Sequence, residues 1–582
     1  MLLLCYNSSQ RDRVMGGSMI KVVTVAQMQA IERETDLAGV SYSQMMENAG
    51  QGVADAVGEV AAVRGCRVLI LVGPGNNGGD GLVAGRLLAE SGADVQFYLS
   101  RPRGDDDANY ARVISMGVPT LVAADDPQGD QLAEAVASAD VLIDALLGTG
   151  ADRPIQGDLK ALLERCGAVL RASREFPGLA RGLVSPVRPT PVPTRTPVVI
   201  AVDCPSGLNC DTGQLDPVAM AADLTVTFDC PKAGQFRFPG ATAVGDLVVA
   251  DIGSPPDLAT RAQVRLELAT ADGVRNLLPT RPLDAHKGTF GKVMIAAGSL
   301  NYTGAAALAG EAAYRAGAGL VTMAVPSAIH APLAARLAEA TFVLLPHEMG
   351  AISENAARVL LPAADGYDAL LVGPGLGREA KTGLFLRRLL AGDRAADHGR
   401  LGFARPAGRE ELDSAPAGHR ALPPLVVDAD GLNLLAEMGA WQALLPPATI
   451  LTPHPGEMAR LLGRSVREVT EDRVTIAAQA AVQWGQVVVL KGPFTVVASP
   501  ESRATLIPFA NPALATAGSG DVLAGVIAAL LGMGMEASAA AIAGAYLHAA
   551  AGARAAADIG AAGVNAGDLP WYVAAVLAEM GR

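Results

Sequence analysis

Carboxylates, carboxamides and hydroxyls gather at glycine turns along this chain. In "RVLILVGPGNNGGDGLVAG" (67–85), Gly73, Gly75 and Gly78 spell G-x-G-x-x-G directly after an apolar, β-branched run, and Asn76, Asn77 and Asp80 stand in the same turn. A turn of this kind offers backbone N–H groups to phosphate. Its oxygen-bearing side chains suit a hard cation or a polar substrate. A nicotinamide dehydrogenase would also need an acidic residue about twenty positions on to hold the ribose. The second strand ends instead in Ser100-Arg101-Pro102. A plain glycine turn with Asp80 capping the next helix is the bland alternative.

Two more stretches repeat the pattern. "DALLGTGADRPIQG" puts Asp144 at a strand end ahead of Gly148 and Gly150, and "VVIAVDCPSGLNCDTG" puts Asp203 and Ser206 at another. Each alone reads as a turn or a helix cap, but three such ends in one sheet make a polar pocket. In the second half, "NPALATAGSGDVLAG" (511–525) has Gly518 and Gly520 opening a helix whose N–H groups can cradle phosphate. Asp521 lies in its first turn, placed to take a proton from a hydroxyl that attacks a phosphoryl group. No G-K-[ST] follows, which excludes a Walker loop; a capped glycine turn remains the plain alternative. On the same footing His454 and Glu457 in "TPHPGE" read as turn and cap residues. Lys491, after "VVVL", reads as a solvated lysine or a phosphate contact.

The elements that must carry these residues are legible in outline. Apolar runs of four to seven residues alternate with amphipathic helices in both halves, which indicates mostly parallel, doubly wound α/β sheets with ligands at the carboxyl ends of the strands. A length of 582 residues calls for two or more domains. With 50% hydrophobic and 18% charged residues there is ample material for cores. The net charge of −13 argues against a general nucleic-acid binder. Six cysteines without a C-x-x-C, and no H-x-x-x-H pair, give neither a disulfide framework nor a zinc site. The leading apolar run is too short for a secretory signal. Residues 1–18 are read as a disordered extension with Met19 the expected start, and the protein as soluble and cytoplasmic, with no membrane partner. The proline- and arginine-rich stretch 165–197 is read as an exposed, partly disordered insertion, with a basic docking segment as the alternative; 391–424 is a second loop-like insertion.

"GPGNNGGDG", "DALLGTG", "AVDCPSGLNCDTG" and "TFDCPKAG" together resemble the NAD(P)H-hydrate epimerase family of YjeF N-terminal type, over roughly residues 19–250. The resemblance implies a Rossmann-like domain, here expected over 19–260, that interconverts the R and S hydrates of NADH and NADPH and uses K+. It implies that Asn76, Asn77, Gly78, Gly79 and Asp80, with Gly148, Thr149, Gly150, Ala151, Asp152, Arg153 and Pro154, contact the hydrate. Asp203 would contact it as acid/base, with Lys232 assisting, and Asn77, Asp144 and Ser206 would ligate the potassium ion. "HKGTFGKVMIAAGS", "LVGPGLG", "DADGLNLL", "TPHPGEMARLL", "VVLKGPFTVV" and "GSGD" are similar to the ADP-dependent NAD(P)H-hydrate dehydratases of the ribokinase-like superfamily. That implies a second α/β domain over 276–582 which uses ADP and Mg2+. Asp521 would deprotonate the hydrate hydroxyl for phosphorylation, and Ala305, Gly377 and His454 would contact the hydrate. Lys491, Gly492, Pro493, Phe494, Thr495 and Gly520 would hold the AMP part. Such a fusion would repair hydrated dinucleotides, and family members commonly form homo-oligomers. The alternatives are a small-molecule kinase fused to a dinucleotide-binding domain, and a non-catalytic dinucleotide sensor.

Overall fold

Short runs of buried valine, leucine and isoleucine become the strands of two largely parallel sheets, one in each of two compact units that divide after Val264. The computed structural model describes residues 3–4, 19–104, 106–150, 153–174, 196–392 and 422–582. Ala151 and Asp152, and most of both insertions, lie outside the described residues.

In the N-terminal unit the strands are β1 (Arg67–Val72), β2 (Asp94–Leu99), β3 (Thr120–Val122), β4 (Val141–Ala145), β5 (Val198–Val202), β6 (Leu224–Phe228) and β7 (Asp246–Ala250). They lie in the order β7-β6-β5-β4-β1-β2-β3, every neighbouring pair parallel. Side chains alternate between two buried faces: Val68, Ile70 and Val72 join one core, Leu69 and Leu71 the other. The chain winds outward from β1 through β2 to β3, then returns to place β4 on the other side of β1. That reversal opens a crevice at the carboxyl ends of β1 and β4.

Three segments differ from the sequence reading. Asn76–Gly79, expected in the loop, form the first turn of helix α1 (Asn76–Glu90). Glycine is a poor helix former, yet here it permits close approach: a Cβ on Gly78 would lie 2.1 Å from the Gly73 carbonyl oxygen. Residues 165–174, assigned to the insertion, complete helix α2 (Gly157–Arg174) because Leu162, Leu163, Cys166 and Leu170 bury one helical stripe. Leu3–Leu4, within the expected extension, pair in parallel with Leu247 and Val248 on the open edge of β7.

The C-terminal unit contains β8 (Leu266–Leu268), β9 (Lys292–Ala296), β10 (Leu320–Pro326), β11 (Thr341–Leu345), β12 (Ala369–Val372), β13 (Leu425–Val427), β14 (Ile450–Leu451), β15 (Val487–Leu490), β16 (Val496–Ala498) and β17 (Ala504–Leu506). Within it they run β11-β10-β9-β12-β13-β14-β15-β16-β17-β8. The β15–β16 and β16–β17 pairs are antiparallel and the rest parallel. Again the winding reverses, between β9 and β12. Helices α3 (Thr303–Arg315), α4 (Pro455–Leu462), α5 (Ser519–Gly532) and α6 (Ala537–Ile559) flank the sheet. Alanine and glycine on α3 and α5 let these two pack closely: a Cβ on Gly525 would lie 2.3 Å from the Ala309 carbonyl oxygen. Among the described residues no helix is long and apolar enough to cross a membrane.

Candidate active sites

Two sites stand out, one at the carboxyl ends of the strands in each unit. In the N-terminal unit the loop leaving β4 and the loop leaving β5 are tied together by a buried carboxylate. Asp144 accepts from the Ser206 backbone N–H (2.9 Å), the Ser206 hydroxyl (2.6 Å) and the Leu146 N–H (3.3 Å). The Ser206 Oγ in turn accepts from the Leu147 N–H at 2.9 Å. Burial raises the Asp144 pKa above its ordinary value against the opposing effect of these donors. Gly148 lies against the Asn77 side chain, where an added Cβ would come within 3.3 Å of it. Asn77 is buried, and its Nδ2 has no hydrogen-bond partner. An unsatisfied buried donor at a crevice points to a missing ligand. Helix α1 begins here with Gly75 as N-cap and no side-chain cap, which leaves its first N–H groups open to an anion.

Beside this, at the end of β5, stands Asp203, held in the left-handed region at φ 62°. Its Oδ1 accepts from the Lys232 Nζ (2.5 Å) and the Thr227 hydroxyl (3.2 Å), and Gln235 donates to its backbone carbonyl at 2.9 Å. Lys232 is 1% exposed. Burial pushes its ammonium pKa down, but the Asp203 carboxylate more than offsets this, so the pKa lies above the ordinary lysine value. Asp80, in α1, is also buried. Desolvation, then the charges of Asp203 and Glu32, hold its carboxyl well above the usual range, with Lys232 opposing. The crevice therefore presents a hydrogen-bonded lysine–aspartate pair next to a carboxyl, that of Asp80, biased toward its protonated form, an arrangement suited to proton exchange.

In the C-terminal unit the charged centre is Lys491, at the end of β15. Its Nζ lies 2.7 Å from the Asp428 Oδ1 at the end of β13 and 3.8 Å from the Glu457 Oε2 in α4. Thr452 donates to the same Asp428 oxygen at 2.6 Å, whereas the Asp428 Oδ2 is buried and has no hydrogen-bond partner. Gly520 faces this pair: an added Cβ would stand 3.3 Å from the Lys491 Nζ. Asp521 follows in the first turn of α5, which Gly518 enters at φ 90°. Burial first, then the Asp428 charge, push the Asp521 pKa up to about 7, with Lys491 pulling the other way. Burial likewise lifts Glu457 to about 7. His454 caps α4: its Nδ1 accepts from the Gly456 N–H at 3.0 Å, and its backbone N–H donates to the Glu457 carboxylate at 2.8 Å. Burial and the Lys491 charge lower its pKa. Around Lys491–Thr495, the guanidinium of Arg473 donates to the carbonyls of Leu490 (2.9 Å), Lys491 (3.1 Å) and Pro493.

Residues singled out in the sequence fall at these two places with some exceptions. Ala305 and Gly377 sit beside the crevice on α3 and on the loop after β12, where the Asp430 carboxylate accepts from the Gly377 N–H at 2.9 Å. Phe494, within the Lys491–Thr495 turn, is buried. Arg153 and Pro154 follow the undescribed pair. Residues not singled out also belong here. Thr227 and Gln235 hold Asp203. Asp428 holds Lys491, and Thr452 donates to Asp428. Ser519 meets the buried imidazole of His548 at 3.1 Å. Arg103 donates to the Gly73 carbonyl at 2.6 Å and to Asp107 at 2.6 Å. Among the described residues no three His, Cys, Asp or Glu side chains converge on a metal site.

Comparison with known proteins divides the chain in the same way. Residues 42–234 match the family model of the YjeF-related protein N-terminus, and residues 293–396 and 416–573 match that of NAD(P)H-hydrate dehydratase. A bifunctional NAD(P)H-hydrate repair enzyme Nnr of Moorella thermoacetica is 38% identical over 96% of this chain and 97% of its own length. The protein of the same name from Thermofilum pendens is 35% identical over 95% of each. A solved ADP/ATP-dependent NAD(P)H-hydrate dehydratase of Bacillus subtilis, co-crystallised with ATP and Mg2+, covers 54% of this chain and 98% of its own at 29% identity and a TM-score of 0.43.

Proposed function

Because this chain belongs to the family of bifunctional NAD(P)H-hydrate repair enzymes, we propose that the crevices of its two units share the repair of one damaged pool. The N-terminal unit epimerises the R and S hydrates of NADH and NADPH. The C-terminal unit dehydrates the S hydrate as ADP is cleaved to AMP and phosphate. One observation carries this reading: both family matches occur in one chain, each over a unit whose crevice holds a lysine–aspartate pair.

In the epimerase crevice the open N-terminus of α1 and the Gly148–Gly150 turn take the dinucleotide phosphates, and Asp203 moves the proton at the hydrated ring. Lys232, donating to its Oδ1 at 2.5 Å, orients Asp203. Asn77, Asp144 and Ser206 supply carboxamide, carboxylate and hydroxyl oxygens, a donor set that fits K+. A potassium ion there would add positive charge near the phosphates. Ser206→Ala removes a ligand and leaves the Leu147 N–H without its acceptor. It is expected to raise the K+ concentration needed for half-maximal epimerisation about tenfold. The rise in melting temperature on replacing NaCl by KCl should shrink in parallel.

In the dehydratase crevice Asp521 takes the proton of the hydrate hydroxyl while the oxygen attacks the terminal phosphoryl group of ADP, and AMP departs. The C–O bond to the new phosphate then breaks as a proton leaves the neighbouring carbon, which restores the ring double bond. Phosphorylation matters because hydroxide leaves poorly and phosphate leaves well. Lys491, Gly520 and the Gly492–Thr495 turn hold the nucleotide. Mg2+ takes one or two carboxylates and otherwise phosphate oxygens; Asp428, with its unpartnered Oδ2, and Glu457 are the residues here that suit it.

The whole reading is tested by mixing the protein with R and S hydrates, ADP, Mg2+ and K+ and following reduced-nicotinamide absorbance. Both epimers should be recovered, with one AMP and one phosphate per dinucleotide. Recovery of the S fraction alone, above the spontaneous rate, would remove the epimerase half. A stable phosphorylated product would replace dehydration by simple kinase activity.

A further inference from the structure

The carboxyl end of β2 carries arginine where a dinucleotide fold that selects an unphosphorylated ribose carries an acid. Register fixes where this arginine stands. Leu99 pairs with Val72, and both the N–H (2.9 Å) and the hydroxyl (3.1 Å) of Ser100 donate to the Val72 carbonyl. Ser100 is therefore level with the start of the Gly73–Gly75 turn, and Arg101 leaves the strand beside that turn. Arg101 is exposed and pairs with no carboxylate among the described residues. Two positions on, Arg103 is committed to structure. Its guanidinium clamps the Gly73 carbonyl and neutralises Asp107, and it packs so tightly that a Cβ on Gly78 would meet it at 2.6 Å. One arginine thus shapes the phosphate turn and the other is free.

The sheet order gives the direction of a bound dinucleotide. Asp203 and Lys232 stand at β5 and β6, the open N-terminus of α1 at β1, and Arg101 at β2. The buried, unpartnered Asn77 Nδ2 marks the middle of this line as a ligand position. From β5 to β2 is three strand spacings, roughly 14 Å, the span of an extended dinucleotide. A hydrated ring at Asp203 and a pyrophosphate over α1 leave the adenosine ribose next to Arg101.

Resting on the epimerase reading above, we infer that Arg101 binds the 2′-phosphate of the substrate and makes the N-terminal site prefer the hydrate of NADPH over that of NADH. The guanidinium fork matches a phosphate dianion in geometry and charge. Against a bare ribose hydroxyl it gains little, because an exposed arginine loses little water in either complex.

The test is steady-state epimerisation of the two hydrates, each prepared as the single R epimer, by the intact protein and by Arg101→Ala and Arg101→Lys. The native protein should show a higher kcat/KM for the phosphorylated hydrate. Arg101→Ala should lower the ratio of the two kcat/KM values about tenfold, carried by KM rather than kcat. Arg101→Lys should restore part of it, and raising the salt concentration should compress the native ratio. A ratio that Arg101→Ala does not move, with both hydrates turned over, overturns this inference alone. No turnover of either hydrate by the native protein overturns the epimerase reading and this inference with it.

Discussion

Asp521→Asn is expected to reduce dehydration about a thousandfold while R and S hydrates continue to interconvert. Asparagine keeps the size of the side chain and cannot accept a proton, so what is lost is the base. The crevice raises the Asp521 pKa to about 7, through burial first and the Asp428 charge second. A base works in its ionised form. Below pH 7 the native kcat/KM for the S hydrate should therefore climb about tenfold per pH unit and level off above it. Glu457 titrates in the same range and shares Lys491 with Asp521, so the acid limb is a property of the cluster. Asp521→Asn assigns it: the limb should vanish with Asp521 replaced and survive in Glu457→Gln. A native profile flat from pH 5 to 8 would exclude Asp521 as the base.

Asp203→Asn is expected to abolish epimerisation and also to destabilise the N-terminal unit by about 3 kcal/mol, because it strands the Lys232 ammonium in the interior. Asparagine is the informative choice, since it tolerates the left-handed backbone that alanine would strain. Lys232→Met should be damaging for the mirror reason, leaving a carboxylate without its cation. Combining the two removes both charges, so denaturant melts followed by circular dichroism should show the double variant more stable than either single one. Epimerase activity should remain absent in all three. Recovery of activity in the double variant would mean that the pair is structural only. Additive destabilisation would mean that the 2.5 Å contact contributes little.

The sequence made legible those parts of the sites that local chemistry dictates. A turn that accepts phosphate needs glycine at fixed offsets from a strand end, so Gly73–Asp80, Asp144–Gly150, Asp203–Ser206 and Gly518–Asp521 stand out without any knowledge of neighbours. Partners brought in by the fold leave no such trace. In "DADGLNLL" Asp428 and Asp430 are equivalent on paper. Only the structure separates the buried partner of Lys491, 63 residues away, from the acceptor of the Gly377 N–H. His548 lies 29 residues from Ser519 in an alanine-rich helix and has no local signature. Propensity also misleads at the glycine turns. Two asparagines and two glycines argue against helix, yet Asn76–Gly79 are helical, and Gly78 packs so close to Gly73 that a Cβ there would stand 2.1 Å from its carbonyl oxygen. The arginine and proline content after Arg165 likewise obscures the buried stripe that extends α2 to Arg174.

The Lys491–Asp428 contact also bears on how quickly the enzyme can cycle. Lys491 is already matched to an oxyanion at 2.7 Å before any nucleotide arrives. An incoming phosphate exchanges with, or shares, that carboxylate and does not meet a bare cation. Its binding free energy is therefore a difference between two similar partners. Under the proposed role of Lys491, a site furnished with its own internal competitor would bind nucleotide less tightly than a bare ammonium, which favours turnover over tight capture.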